Sequence, residues 1–472
     1  MKYSKLLLAI ASIFFACISY KQSAGLNFIL FSLCLQALLV WRNVSLVRSK
    51  QFIYGSLLAL LTAFSVVYTN SNLSIAAFVL SHFLLNSFAH KRKQSPILNF
   101  SYAVYSFVTA VPLSISRMGS EKHDTKESTN NKGTIAAALI LAFTIGVAFF
   151  VLYRSANPLF KSATDTIDLS WISFAWLFTC LLGFVLFKGL TANETVQLLS
   201  DKDLQALQPL KQTNENASGD SVLYRTAGIS IFVVLNLFQL AVNVLDINHL
   251  YLSKALPAGI TLADFVHQAV AGMLGLITIA LLIITYLFSS WFNFDEKNKH
   301  VRFLVLLWLL QAQLMLINTA VRNWWYIQSY QLTYLRILVF VTLIICSLSL
   351  YFCWQKLQHK QSTWYLLNRL FTALLIVFFS TSFFNWDNFI AQYNINHSKK
   401  AVKLDLLYIT SLAGVDNELL IPFLSQENIS TEYKQAIRHK LYAKHLHDRF
   451  QQWPSWNYRA YKNEQAYFNL YK

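Results

Sequence analysis

Charged residues are scarce in this sequence: they make up 13% of its 472 residues, where a soluble domain carries about 25%. That shortage excludes an ordinary water-facing surface for most of the chain. Acidic residues are scarcer than basic ones, 22 Asp and Glu against 39 Lys and Arg. Glycine and proline are also few, 13 and 7, whereas a carrier that breaks its helices at a midplane site would be expected to use more of both. The cysteines, Cys17, Cys34, Cys180, Cys346 and Cys353, all fall in apolar runs. None follows residue 384, so no disulfide framework or cysteine-based zinc site is available there. The chain lacks HExxH, G-x-S-x-G, a Gly-rich phosphate loop and a CxxC pair, so no enzyme class is indicated. No cofactor or metal is expected.

What is present is apolar text: 55% hydrophobic and 15% aromatic residues, clustered in runs near the ~20 residues that cross a bilayer core. The candidate spans are Met1–Tyr20, Leu26–Trp41, Phe52–Tyr68, Ser74–Phe88, Thr134–Tyr153, Trp171–Phe187, Thr226–Val244, Phe265–Phe288, Phe303–Ala320, Tyr334–Phe352 and Trp364–Phe384. The reading is an all-α, polytopic transmembrane bundle of about eleven spans. The net charge of +17 does not imply nucleic acid, because Lys and Arg sit in short loops between apolar runs. That is the positive-inside pattern.

One further run, Ile97–Ser116, decides the topology. It carries Pro112 and several polar residues, and it reads as an interfacial helix. If it does not cross, cytoplasmic loops collect roughly 21 Lys and Arg against about 6 outside. Arg42, Arg48, Lys297, Arg302, Lys356 and Lys360 are among the inside set. If it crosses, the tally becomes roughly 13 against 14, which is no bias. The N-terminus is therefore expected in the cytoplasm and residues 385–472 outside. Two domains are expected: a membrane bundle over 1–384 and an amphipathic helical domain over 385–472.

That C-terminal segment divides by punctuation. Leu404, Leu407, Tyr408 and Leu412 share a helical stripe that stops at Gly414. Asp416 is positioned to cap a second short helix and Ser430 a third. Trp453-Pro454-Ser455-Trp456 reads as a turn before a last helix. Upstream, Asp387 or Asn388 is placed to cap a helix carrying Phe389, Ile390 and Tyr393, while Thr191-Ala192-Asn193-Glu194 reads as a capping box.

Several stretches, in order, resemble a known family. They are Gly25-Leu26-Asn27, Ala156-Asn157-Pro158-Leu159-Phe160, Asp264-Phe265-Val266-His267-Gln268, and Leu332-Thr333-Tyr334-Leu335-Arg336. Asn388-Phe389-Ile390-Ala391-Gln392-Tyr393-Asn394-Ile395, Leu404-Asp405-Leu406-Leu407-Tyr408 and Trp456-Asn457 complete the set. Gln331 stands where the family's Gly-Leu-Thr-x-x-Arg has glycine. The chain is similar to bacterial multi-pass membrane proteins defined only as a domain of unknown function, the four-one-seven-three type, related to the four-one-five-three type. The resemblance implies an integral protein of the bacterial cytoplasmic (inner) membrane and no assigned activity.

Candidate functional residues follow from position. Asp387, Asn388, Tyr393 and Asn394 form the exit from the last span, with Asp405 just beyond. Asn157 and Pro158 end a helix before Asp165 and Asp168, a carboxylate pair at an expected outer boundary. Thr261 and Asp264 read as a capping box, with His267 one turn along. Arg322 and Arg336 flank an aromatic-rich outer loop that could anchor in headgroups or bind phosphate. The tail histidines His439, His445 and His447 lack ligand spacing and read as solvated. A non-catalytic sensor, regulator or docking protein is expected, with the lipid bilayer and a membrane or periplasmic protein bound through 385–472 as partners. The alternative is a transporter or lipid-linked glycosyltransferase, although the first outer loop, Tyr20–Gly25, has none of the carboxylates such transferases carry.

Overall fold

The computed structural model of the chain describes residues 2–90, 93–120, 146, 149–150, 153–154, 156–164, 174–210, 220–253, 262–288, 291–398, 404–427, 429–449 and 451–470. Among these residues there are helices and turns and no strand. In chain order the helices are α1 (Lys2–Ser19), α2 (Leu26–Arg42), α3 (Lys50–Thr69), α4 (Asn72–Ala89), α5 (Pro96–Ser120) and α6 (Pro158–Thr164). Next come α7 (Phe174–Leu190), α8 (Gln197–Ala206), α9 (Asp220–Ile247), α10 (Leu262–Leu287), α11 (Lys299–Tyr330) and α12 (Tyr334–Gln358). The last are α13 (Thr363–Ser382), α14 (Trp386–His397), α15 (Leu406–Ser411), α16 (Asn417–Leu420), α17 (Thr431–Arg449) and α18 (Tyr458–Leu470).

The chain divides into two compact units. Unit 1 is Met1–Arg92, Asn99–Val196 and Ala443–Lys472; unit 2 is Lys93–Leu98 and Gln197–Tyr442. The division falls inside the C-terminal segment, at residues 442 and 443 of α17.

In unit 1, α3 and α4 form a hairpin closed by Asn70 in the left-handed region (φ 45°) and by a Ser71–Ser74 capping box. Gly55, Ala59 and Ala63 keep one face of α3 small, which lets helices approach closely. A Cβ on Gly55 would lie 2.6 Å from the Phe88 ring, and the Thr62 and Ser81 hydroxyls bond across the contact at 2.8 Å. Phe31, Leu35, Phe78, Leu85 and Phe187 fill the core.

In unit 2, α9, α10 and α12 pack on α11, and α13 packs on α12. Helix α9 has the reverse of a soluble pattern. Its exposed face is Val234, Leu237, Phe238, Leu240 and Val244, while Asn236, Gln239, Asn243 and Asp246 are buried. Apolar outside and polar inside is the arrangement a bilayer imposes. Lys356, expected in a cytoplasmic loop, is instead fully buried in α12 and donates to the Phe288 carbonyl at 2.9 Å. A cation beside carbonyls that end a helix is favourably placed.

Eight helices among the described residues are long and apolar enough to cross a membrane. The chain is a multi-pass integral membrane protein. Leu6–Ser19, Leu26–Arg42 and Ala175–Leu190 are shorter apolar helices. Pro96–Ser116 is a continuous helix that meets the length and hydropathy of a span, so length alone gives no ground to set it apart. Most of the expected span Thr134–Tyr153 lies outside the described residues.

Two expected starts are corrected. The 191–196 stretch is not helical, and α8 begins at Gln197; the Thr191 hydroxyl instead donates back to the Phe187 carbonyl at 2.6 Å, closing α7. The cap of α14 is Asn385, whose Oδ1 accepts the Asn388 N–H at 3.2 Å, rather than Asp387 or Asn388.

Candidate functional site

At the start of α14 the polar side chains turn onto neighbouring main chain. Asp387 accepts from the Tyr334 hydroxyl at 2.5 Å, and its other oxygen accepts the Gly414 N–H. Gly414 is required there for space, a Cβ lying 2.7 Å from the Asp387 Cβ; it does not end α15 as expected, because that helix stops at Ser411 with Leu412 as its C-cap. Asn388 and Asp416 pair reciprocally. The Asn388 amide donates to the Asp416 carboxylate at 2.9 Å, and the Asp416 N–H donates to Asn388 Oδ1 at 3.1 Å. Asp416 therefore makes no side-chain cap to α16, contrary to its expected role. Asp405 caps α15, accepting the Tyr408 N–H at 2.9 Å.

Two turns along α14, Asn394 is fully buried and its amide bonds both main-chain groups of Leu332. The Tyr334 N–H donates to the Tyr408 hydroxyl at 3.2 Å. Burial raises the Tyr408 phenol above its ordinary value; the Tyr334 N–H and Arg336 oppose this, and Asp387 and Asp405 add to it. Tyr393 stacks on His397 with centroids 4.0 Å apart, and burial raises its phenol too.

The arginines do not flank a loop. Helix α11 continues to Tyr330, so Arg322 lies within it, and only Gln331, Leu332 and Thr333 separate it from α12. Arg322 forms an ion pair with Asp246, both largely removed from solvent. Arg336 donates to the Tyr330 carbonyl at 2.7 Å and to the Gln331 carbonyl, and its guanidinium lies 4.0 Å from the Tyr326 ring centroid. Gln331 sits at φ 71°, ψ 174°, a conformation that glycine adopts readily and other residues resist. That explains why glycine suits this position in the resembling motif. Asn323, Tyr326, Tyr334, Arg336 and Tyr408 line a cavity of about 400 Å³.

Of the other candidates, Asn157 and Pro158 belong to unit 1 and several fall outside the described residues. Asn157 caps α6, accepting the Leu159 N–H at 2.9 Å, with Pro158 as its first residue; this arrangement is structural. Asp165 and Asp168 lie outside the described residues, as do the side chains of Asp264 and His267 on α10. Among the described residues no three His, Cys, Asp or Glu side chains are grouped to hold a metal. His445 is not simply solvated: its ring stacks on Tyr467 at 4.3 Å.

Sequence reasoning missed Asp246, Tyr334, Tyr408 and Asp416 as partners. Asp246 had a readable signal, because Asn236, Gln239, Asn243 and Asp246 recur every three to four residues on one helix face. Five of the seven resembling stretches meet another, in two groups that belong to different units. Leu332–Arg336, Asn388–Ile395 and Leu404–Tyr408 interlock in unit 2. In unit 1, Gly25–Asn27 meets the 455–457 turn: the Leu26 N–H donates to the Trp456 carbonyl at 3.0 Å, and the Ser23 N–H to Ser455 Oγ at 2.9 Å. A Cβ on Gly25 would collide with the Ser455 main chain and lie 2.6 Å from the Trp456 carbonyl oxygen.

The family model described as Domain of unknown function (DUF4153) matches residues 55–421. That span covers the unit 2 cluster and leaves out residues 22–27 and 452–457. No curated protein matches the chain, and no solved structure does.

Proposed function

The chain belongs to the family of the domain of unknown function DUF4153, and on that premise we propose that it is a non-catalytic membrane protein, a sensor or regulator that docks a protein partner through residues 385–472. One observation carries this reading. Asp387, Asn388, Asn394 and Asp405 all spend their hydrogen bonds on neighbouring backbone or on the side chains that hold it. Groups used that way build a rigid support and are not free to take up a substrate. Beside this support, Leu407 is exposed, and Thr410, Glu432, Ala436 and His439 line a shallow groove.

On the charge count, residues 385–472 lie on the outer, periplasmic face of a bacterial inner membrane and α5 lies along the interface. A reporter fused after Lys472 tests this; a cytoplasmic signal overturns it. The docking reading is tested with a photo-crosslinking residue at Leu407 and, as a lipid-facing control, at Leu282. A discrete protein adduct at Leu407 alone supports docking. Adducts to lipid only, at both positions, overturn it.

A carrier of small polar solutes is the second reading, favoured by the buried Asp246–Arg322 pair inside a span-length helix. Uptake measured in vesicles, with and without Asp246→Asn, tests it.

A further inference from the structure

The polar face of α9 runs through four consecutive turns: Asn236, Gln239, Asn243 and Asp246. Ten residues of helix separate the first from the last, a rise of ~15 Å. Gln311, Met315, Asn318 and Arg322 of α11 lie opposite. The Asn236 amide donates to the Leu304 carbonyl at 2.9 Å, and Gln311 Nε2 donates to Asn236 Oδ1 at 2.7 Å. Gln239 Nε2 donates to Met315 Sδ at 3.1 Å, and Asn243 Nδ2 to the Gln311 carbonyl at 3.0 Å. Tyr251 donates to Asn318 Oδ1 at 3.2 Å, and Arg322 to Asp246 Oδ1.

Four enclosed amide and carboxylate atoms along this line make no hydrogen bond to another protein atom: Gln311 Oε1, Asn243 Oδ1, Asp246 Oδ2 and Asn318 Nδ2. Exchanging amide oxygen and nitrogen does not resolve them. A turned Asn243 would set its oxygen against the Gln311 carbonyl, and a turned Asn318 would orphan its oxygen instead of its nitrogen. Three acceptors and one donor, enclosed at successive turns, match water, which supplies donors and an acceptor and makes two to four bonds.

We propose that the α9–α11 seam binds a file of internal water molecules running from Gln311 to the Asp246–Arg322 pair. The file makes that pair reachable by water from within the membrane-embedded part of unit 2. It does not depend on whether the docking or the transport reading holds.

Two methionines provide a native control. Met315 lies in the seam and Met273 in the apolar core, and both are buried, at 6% and 2% exposure. Hydroxyl-radical footprinting by X-ray radiolysis generates radicals from waters next to the side chain. In the full-length protein in lipid nanodiscs, Met315 is expected to oxidise several-fold faster than Met273. Gln239→Leu, which removes one polar wall, is expected to bring the Met315 rate down toward that of Met273. Equal rates for the two methionines in the unaltered protein overturn the proposal. A Met315 rate left unchanged by Gln239→Leu overturns it as well.

Discussion

The side-chain amide of Asn394 closes on both main-chain groups of Leu332, accepting its N–H at 2.7 Å and donating to its carbonyl at 2.9 Å. One side chain thereby does for the α11–α12 junction what a paired strand would do. The junction has no regular structure of its own, and these two bonds fix Leu332 while Arg336 holds the Tyr330 and Gln331 carbonyls.

Asn394→Ala leaves both Leu332 groups enclosed and unpaired, at about 1–3 kcal/mol each. A clear fall in the thermal midpoint of the detergent-solubilised protein is expected. Asn394→Asp keeps the acceptor but sets a carboxylate against the Leu332 carbonyl, and it is expected to be no milder.

Gln331 is held at φ 71° without being glycine. Relieving that conformation with Gln331→Gly is expected to stabilise the protein by about 1 kcal/mol. The same change at Ser329, two residues back in the last turn of α11, is expected to cost about 0.5 kcal/mol. Thermal unfolding of the two variants side by side checks the difference in sign.

Removing one member of the Asp246–Arg322 pair strands the other charge. Asp246→Leu or Arg322→Met alone is expected to cost about 3–5 kcal/mol, while the two combined cost much less. A double-mutant cycle on thermal midpoints measures the coupling; additive losses would contradict the pairing.

The raised phenol of Tyr408 contributes, beside that of Tyr393, to the alkaline behaviour of the unit 2 cluster. Its folded value lies above the ordinary 10, chiefly through burial, so the folded state favours the neutral form. The stabilisation is complete below pH 10 and is lost as pH rises through the folded value. Tyr408→Phe is expected to be less stable at pH 8, because the Tyr334 N–H loses its acceptor. Its decline above pH 10 should be shallower than that of the unaltered protein. Thermal midpoints across pH 8–11 distinguish the two.

Much of this was readable from the residues. The apolar runs placed most of the span helices to within a turn, although α9, α11 and α12 run six to ten residues further than expected, and the Trp453–Ser455 turn before α18 stands where Pro454 put it. Asp387, Asn388, Asn394 and Arg336 were all singled out by local pattern. Local pattern also misled at α14, because Asn385, Asp387 and Asn388 are all good capping types. Which one caps depends on the competing claims of Tyr334, Gly414 and Asp416, and those lie far away in sequence. The same limit applies to Lys356, which reads as a loop charge until Phe288 and Asn293 are seen around it.

By itself the sequence determined that this chain lives in a bilayer, that it is helical, and which short polar stretches interrupt the helices. Those follow from local composition and periodicity, which act over a turn or a span. Only the tertiary structure decided that Asp246 meets Arg322, that Asn394 holds Leu332, and that Gly25 receives the turn at Ser455. Hydrogen bonds and ion pairs between distant segments depend on how helices pack. Within a membrane that packing is governed by small residues and buried polar groups spread over the whole chain.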